Sequence, residues 1–233
     1  SGIAVLPADE PLLVSRRVGP MLTFGEAPHA DVAVSGVSID AEGRASADLT
    51  IDGRSFPITM SAAGRHQAVN AAAAVAAGVA LGVDPALAVD RVQHGSVSQW
   101  RMEVHSGPVT VVNDAYNSNP TSATAALETV AAMPGRHVAA LGMMHELGEG
   151  AAAAHRSLGA AARELGFAAV VVVGDDPGIA EGAGAIARSV RDVAEADRIL
   201  REVLRPGDVI LVKGSRAVGL EVLAERLLEV SPA

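Results

Sequence analysis

Cysteine is absent from the 233 residues, which excludes disulfides, thiol catalysis and cysteine-ligated zinc and fits a reducing compartment. Aromatic residues make up only 2%, so platforms for stacking bases are scarce. The core must instead be built from Ala, Val and Leu, whose small volumes let backbones approach closely. There is no dense basic stretch. Lys plus Arg number 18 against 27 Asp plus Glu, a formal charge of −9, which argues against nucleic acid as a partner. Hydrophobic residues reach 49%, yet no apolar run attains bilayer length and the first residues lack the basic-then-apolar order of a signal peptide. The expectation is a soluble, cytoplasmic protein without membrane insertion.

What is present falls into two patterns, and the length suits two modest domains. Residues 31–39, 44–51 and 54–60 alternate or run β-rich, and Asp52-Gly53 is a two-residue hairpin signal. An Ala-rich helix is expected from Arg65 to Leu81, ending near Gly82, and a second from Pro85 to Gln93. Gly95 to Gln99 reads as a linker, so the chain divides into residues 1–98 and 99–233. Beyond Arg101, apolar runs at 109–112, 138–141, 169–173 and 209–212 alternate with helical segments near 121–132, 152–165, 193–204 and 217–229. That alternation predicts a doubly wound, mostly parallel, Rossmann-like α/β domain.

The densest chemistry lies in Asn113-Asp114-Ala115-Tyr116-Asn117-Ser118-Asn119-Pro120, where an acid, three amides and a phenol share one strand-to-helix turn. Open α/β sheets bind ligands at the carboxyl ends of their strands. The alternative is a self-bonded Asx turn. The other strands end comparably, in Gly142-Met143-Met144-His145-Glu146, Gly174-Asp175-Asp176 and Lys213-Gly214-Ser215-Arg216. The last is expected to lead into a helix, where N–H groups, a hydroxyl and two cations suit a phosphate or carboxylate. It lacks P-loop spacing. Gly182 to Ala187 matches G-x-G-x-x-A but lies too far beyond its strand for dinucleotide binding, so tight Ala/Gly helix packing explains it better. His145-Glu146 and His155 do not meet H-E-x-x-H, and no metal site is expected. His66 and Asn70, four apart, share a helix face, with capping as the alternative.

Together these pieces resemble the ATP-dependent Mur ligase family. The carriers are Gly64-Arg65-His66 with Asn70, Arg101 in Trp100-Arg101-Met102-Glu103, and Asp114. Asp114 to Pro120, Gly142 to Gly148 and Val212 to Arg216 resemble the branch that joins D-alanyl-D-alanine to a UDP-N-acetylmuramoyl-tripeptide. The resemblance implies that residues 1–98 are the end of a central ATPase domain and 99–233 the family's C-terminal domain. It implies ATP and Mg²⁺ as cofactors, an acyl-phosphate route to an amide, and the UDP-tripeptide and D-alanyl-D-alanine as partners of the complete enzyme. By resemblance, Asn70 reads the adenine edge, Asp114 holds the ribose, Arg101 approaches the phosphates and His66 lies near the metal-phosphate region. Tyr116, Asn117, Asn119, Ser215 and Arg216 position the incoming dipeptide. His66 and Lys213 are the expected catalytic pair, with Lys213 facing a carboxylate terminus. The chain departs from the family at Met143 and Asn113, where Asp is usual, and at Gln67, where Asn is common. The P-loop half lies outside the resemblance, so turnover by this chain alone is not expected. The competing class is a non-catalytic nucleotide- or peptide-binding module of the same descent.

Overall fold

The computed structural model describes residues 2–16, 19–95 and 99–229. They form two compact units, Ser1–Val97 and Ser98–Ala233. Most of the expected linker, residues 96–98, lies outside the described residues.

The first unit runs β1 (Ala4–Pro7), α1 (Pro11–Arg16), β2 (Met21–Gly25), β3 (Val32–Ile39), β4 (Arg44–Ile51), β5 (Arg54–Ala63), α2 (His66–Ala80) and α3 (Pro85–Gln93). Its sheet has the order β1-β2-β3-β4-β5. The meander accounts for β3, β4 and β5, which pair antiparallel. Ile51 faces Arg54 across the Asp52-Gly53 turn, where both residues have positive φ, as a two-residue primed turn requires. The meander reading left out β1 and β2, which extend the sheet in parallel. These strands span only four and five residues and are flanked by Pro7 and Pro20, too short to show a period. One face of the sheet, carrying Val34, Leu49 and Ile58, packs on Ala68, Ala72 and Val75 of α2 and on Val89 of α3.

The second unit runs β6 (Glu103–His105), β7 (Thr110–Asp114), α4 (Pro120–Ala131), β8 (Arg136–Gly142), α5 (Ala151–Glu164), β9 (Ala169–Val173), α6 (Pro177–Ala183), β10 (Ala187–Val190), α7 (Val193–Val203), β11 (Asp208–Lys213) and α8 (Glu221–Glu229). The strand order is β10-β9-β8-β11-β7-β6, parallel throughout except for the β6 edge. β7, β8, β9 and β11 are the continuous apolar runs, buried on both faces. Val111, Val138, Val171 and Ile210 pack against Leu200 of α7 and Leu223 of α8. The alternate residues Val112, Ala139, Val170 and Leu211 are equally buried and point to the other face, where α4 and α5 lie together. The helices that follow β7 and β11 therefore cover opposite faces, which makes the gap between those neighbouring strands the switch point of the sheet.

Two expectations are corrected here. Lys213 does not open a helix: Arg216–Val218 form a short 3-10 turn, Gly219 adopts a left-handed φ of 73°, and α8 starts only at Glu221. Gly182 to Ala187 is not one helix either, since α6 stops at Ala183 and β10 begins at Ala187. The tight-packing part of that reading holds at Gly182, whose α-carbon faces the Arg156 carbonyl of α5 so closely that a Cβ would lie 2.0 Å from it.

Candidate functional site

The register of β7 and β11 sets Asp114 level with Lys213 at the carboxyl edge of the switch point. The two side chains form an ion pair, and the Lys213 ammonium also donates to the Asn117 carbonyl at 3.0 Å. Lys213 is the chain's single lysine and is 2% exposed. Asp114 Oδ1 accepts the Met102 N–H at 3.1 Å. The pair thus ties together three segments of one unit: the β7 end, the β11 end and the loop entering β6. Residues assigned from resemblance to opposite sides, Asp114 to the nucleotide and Lys213 to the dipeptide, are bonded to each other.

The asparagines of this turn build it. Asn113 Oδ1 accepts the Ala115 N–H at 3.2 Å, and Asn117 Oδ1 accepts the Ser118 N–H at 2.8 Å. Asn119 caps α4 in a reciprocal box with Ser122, and Pro120 sits at the first helical position. The Asx reading is therefore correct for the amide oxygens. Asn117 and Asn119 are nonetheless exposed and line a cleft of about 1040 Å³.

The chain's only Trp and only Tyr stand on this cleft. The Tyr116 N–H donates to the Trp100 carbonyl at 3.0 Å. The Arg101 guanidinium lies 4.1 Å over the Tyr116 ring, and that of Arg216 lies 4.1 Å over the Trp100 ring. Such pairs contribute about 0.5–1 kcal/mol at exposed positions. Trp100 and Met102 both hold positive φ, 61° and 50°, a strain on the order of 1–3 kcal/mol each that the surroundings must over-determine. The Tyr116 and Asp114 bonds supply that constraint. In the sequence Trp100 stands only beside Arg101 in the family-like segment where the linker gives way to a strand; no local pattern announces its place in a cleft wall.

The opposite wall comes from the loop after β8. Ser215 Oγ accepts the His145 N–H at 2.9 Å, and the Ser215 N–H donates to the Met143 carbonyl at 3.1 Å. Met143 enters this contact through its backbone, which makes the side-chain departure there indifferent to the contact. His145 and Glu146, which the sequence sets at a polar strand end, line the cleft together with Leu147.

In the first unit, His66 and Asn70 do not cap α2, whose N-terminus has no side-chain cap. Asn70 Nδ2 donates to Gln67 Oε1 at 3.1 Å, and Gln67 Nε2 lies 3.2 Å from His66 Nε2. Gly64 holds a φ of 115°, which strains any residue with a Cβ, and a Cβ there would also crowd the His66 ring, 2.5 Å from Cε1. Gln67 and Asn70 border a separate hollow of about 320 Å³ with Met60, Ala62 and Ala71. Among the described residues no group of three or more His, Cys, Asp or Glu could hold a metal ion. No helix of the described residues is long and apolar enough to cross a membrane.

A family model described as "Mur ligase, glutamate ligase domain" matches residues 100–216, which carry the whole Asp114–Lys213 arrangement. The chain belongs to the Mur ligase family. This Mur ligase chain is 34% identical over 98% of its length to the UDP-N-acetylmuramoyl-tripeptide–D-alanyl-D-alanine ligase of Mycobacterium leprae, of which it covers 52%. Among solved structures it is similar to the UDP-N-acetylmuramoylalanyl-D-glutamyl-2,6-diaminopimelate–D-alanyl-D-alanyl ligase of Acinetobacter baumannii, with a TM-score of 0.85 and 27% identity over 98% of this chain and 51% of that one. It is also similar to MurF of Thermotoga maritima in complex with ADP, with a TM-score of 0.83 and 26% identity over 97% of this chain and 53% of that one. The chain spans about half the length of the curated relatives it matches.

Proposed function

We propose that the chain is the C-terminal portion of an ATP-dependent ligase that joins D-alanyl-D-alanine to a UDP-N-acetylmuramoyl-tripeptide. The observation that carries this reading is the cleft beside the Asp114–Lys213 pair, where Arg216, Tyr116 and the Asn117 and Asn119 amides surround a space suited to a short peptide with a terminal carboxylate. Arg216 supplies a planar, permanently charged fork for a terminal carboxylate. The amides offer donors to peptide carbonyls, and the Tyr116 and Trp100 rings limit the side chains to small ones. Lys213 acts through Asp114 and the Asn117 carbonyl, so it holds the turn in shape.

On the nucleotide side, the hollow at Asn70 has an apolar floor and an amide at its rim, which fits a purine: an Asn amide can bond an adenine edge as donor and acceptor at once. ATP supplies the phosphoryl group that activates a carboxylate toward the amine. By resemblance, Arg101 is the cation of the second unit assigned to the phosphates. Asp114, already accepting from Met102 and Lys213, keeps a fixed orientation toward ribose hydroxyls, since each carboxylate oxygen accepts more than one bond. Among the described residues there is no cluster of side chains fit for a protein-held Mg²⁺.

Calorimetric titration tests this division. D-alanyl-D-alanine is expected to bind more tightly than L-alanyl-L-alanine, and Arg216→Ala to weaken it by about 1.5–3 kcal/mol, the worth of a hydrogen bond to a charged group. Asn70→Ala is expected to weaken ADP by about 1 kcal/mol and leave the dipeptide unchanged. Equal binding of the two dipeptide enantiomers, or indifference of both ligands to both substitutions, contradicts the reading.

A further inference from the structure

His155 and Asp176 are both 6% exposed, both buried in the second unit, and neither has a part in the chemistry proposed so far. They come from different helices: His155 lies in α5, and Asp176 caps α6 by accepting the Ile179 N–H at 3.0 Å. His155 Nδ1 lies 2.5 Å from Asp176 Oδ2. On its other side, Nε2 lies 2.8 Å along the Met144 N–H. Nε2 also lies 3.2 Å from the Met144 carbonyl, but a backbone N–H can only donate, so in a neutral imidazole the shorter contact makes Nε2 the acceptor and puts the proton on Nδ1, pointing at the carboxylate. The aspartate thereby fixes both the tautomer and the ring plane, and the ring presents one lone pair to the loop that follows β8.

We propose that the His155–Asp176 pair is a positioning device for this loop, setting the cleft wall formed by His145, Glu146 and Leu147. The inference rests on the functional reading above. Three consecutive backbone groups of the loop are held: the Met143 carbonyl by the Ser215 N–H, the Met144 N–H by His155, and the His145 N–H by Ser215 Oγ. The next residue, Glu146, has a positive φ of 64°, a conformation that non-glycine residues hold only under such constraint. Ser215 thus holds the loop from the β11 side and His155 from the α5 side. His155 is buried and meets the loop at its backbone, so it acts through His145 and Glu146.

Two substitutions separate the two bonds of the ring. Asn places its amide near Nδ1 and can keep the bond to Asp176 while losing the Met144 acceptor; Gln places its oxygen near Nε2 and can keep the acceptor. Backbone hydrogen exchange is measured on the 233-residue chain, together with titration of D-alanyl-D-alanine. His155→Asn is expected to speed exchange at Met144 and His145 by roughly five- to tenfold, about one buried hydrogen bond, and to weaken the dipeptide by a similar factor. His155→Gln is expected to stay within about twofold of the parent on both readouts, a rescue that loss of core packing alone does not predict. Equal exchange at Met144 in the two variants, whether fast or slow, overturns the proposal. So does loop release in His155→Asn with dipeptide affinity unchanged. If the parent chain takes up no dipeptide, the functional reading fails, and the exchange comparison still decides whether His155 holds the loop.

Discussion

Lys213→Met is expected to destabilise the second unit by about 3–5 kcal/mol, the cost of leaving a buried charge without its partner. The substitution keeps the length and removes the ammonium. Asp114 then stays at the end of a strand buried on both faces, holding the Met102 N–H but losing the Lys213 ammonium, and the Asn117 carbonyl loses its donor. Lys213→Arg is expected to restore little of this, because a planar fork does not occupy the site of a compact ammonium that is 2% exposed. Combining Lys213→Met with Asp114→Asn should recover a large part of the loss, since the amide oxygen can still accept from Met102 and no charge remains buried. Denaturant unfolding followed by Trp fluorescence isolates the effect, because the only Trp, Trp100, belongs to the second unit. A single-variant loss below about 1 kcal/mol, the range of exposed pairs, contradicts the pairing.

Gly182→Ala and Gly159→Ala are each expected to cost about 3 kcal/mol, the upper end of the usual range for overpacking. At Gly182 the new Cβ meets the Arg156 carbonyl at 2.0 Å, and at Gly159 it meets the Ile179 carbonyl at 2.0 Å. Both obstacles are helix backbone, which cannot rotate away as a side chain can. α5 and α6 must therefore separate, and with them His155 and Asp176. Gly150→Ala is the control: its φ is −78° and a Cβ there meets nothing within 4 Å, so about 0.4–1 kcal/mol of stabilisation is expected from the reduced freedom of the unfolded chain. Thermal unfolding of the three variants ranks them. Gly182→Ala as benign as Gly150→Ala contradicts the close crossing.

Features governed by neighbours in sequence were legible. The Val109 to Val112 run became β7, Asp52-Gly53 became a primed turn, and Pro120 stood at the first turn of α4 behind its Asn119 cap. Features governed by long-range contact were not. β10, with the sequence Ala187-Arg188-Ser189-Val190, is an edge strand whose exposed middle shows no apolar period, and its strand character comes from pairing with β9. The same limit applies to the cleft. Asp114 and Lys213 each stood out, but they are 99 positions apart, and only the insertion of β11 between β7 and β8 makes them neighbours. Trp100 carried no signal because its role depends on Arg216 coming to lie across its ring. The expected helix after Lys213 failed at Gly219, which the apolar pattern of Val218, Leu220 and Leu223 concealed.

The central claim is that nucleotide and dipeptide have separate stations on this chain, and residue-resolved amide shifts recorded during two titrations test it most directly. ADP is expected to move signals around Gln67 and Asn70. D-alanyl-D-alanine is expected to move Tyr116, Asn117, His145 and Ser215 while leaving Gln67 and Asn70 in place. A dipeptide that shifts none of those four, or that moves the Asn70 hollow in their stead, contradicts the account.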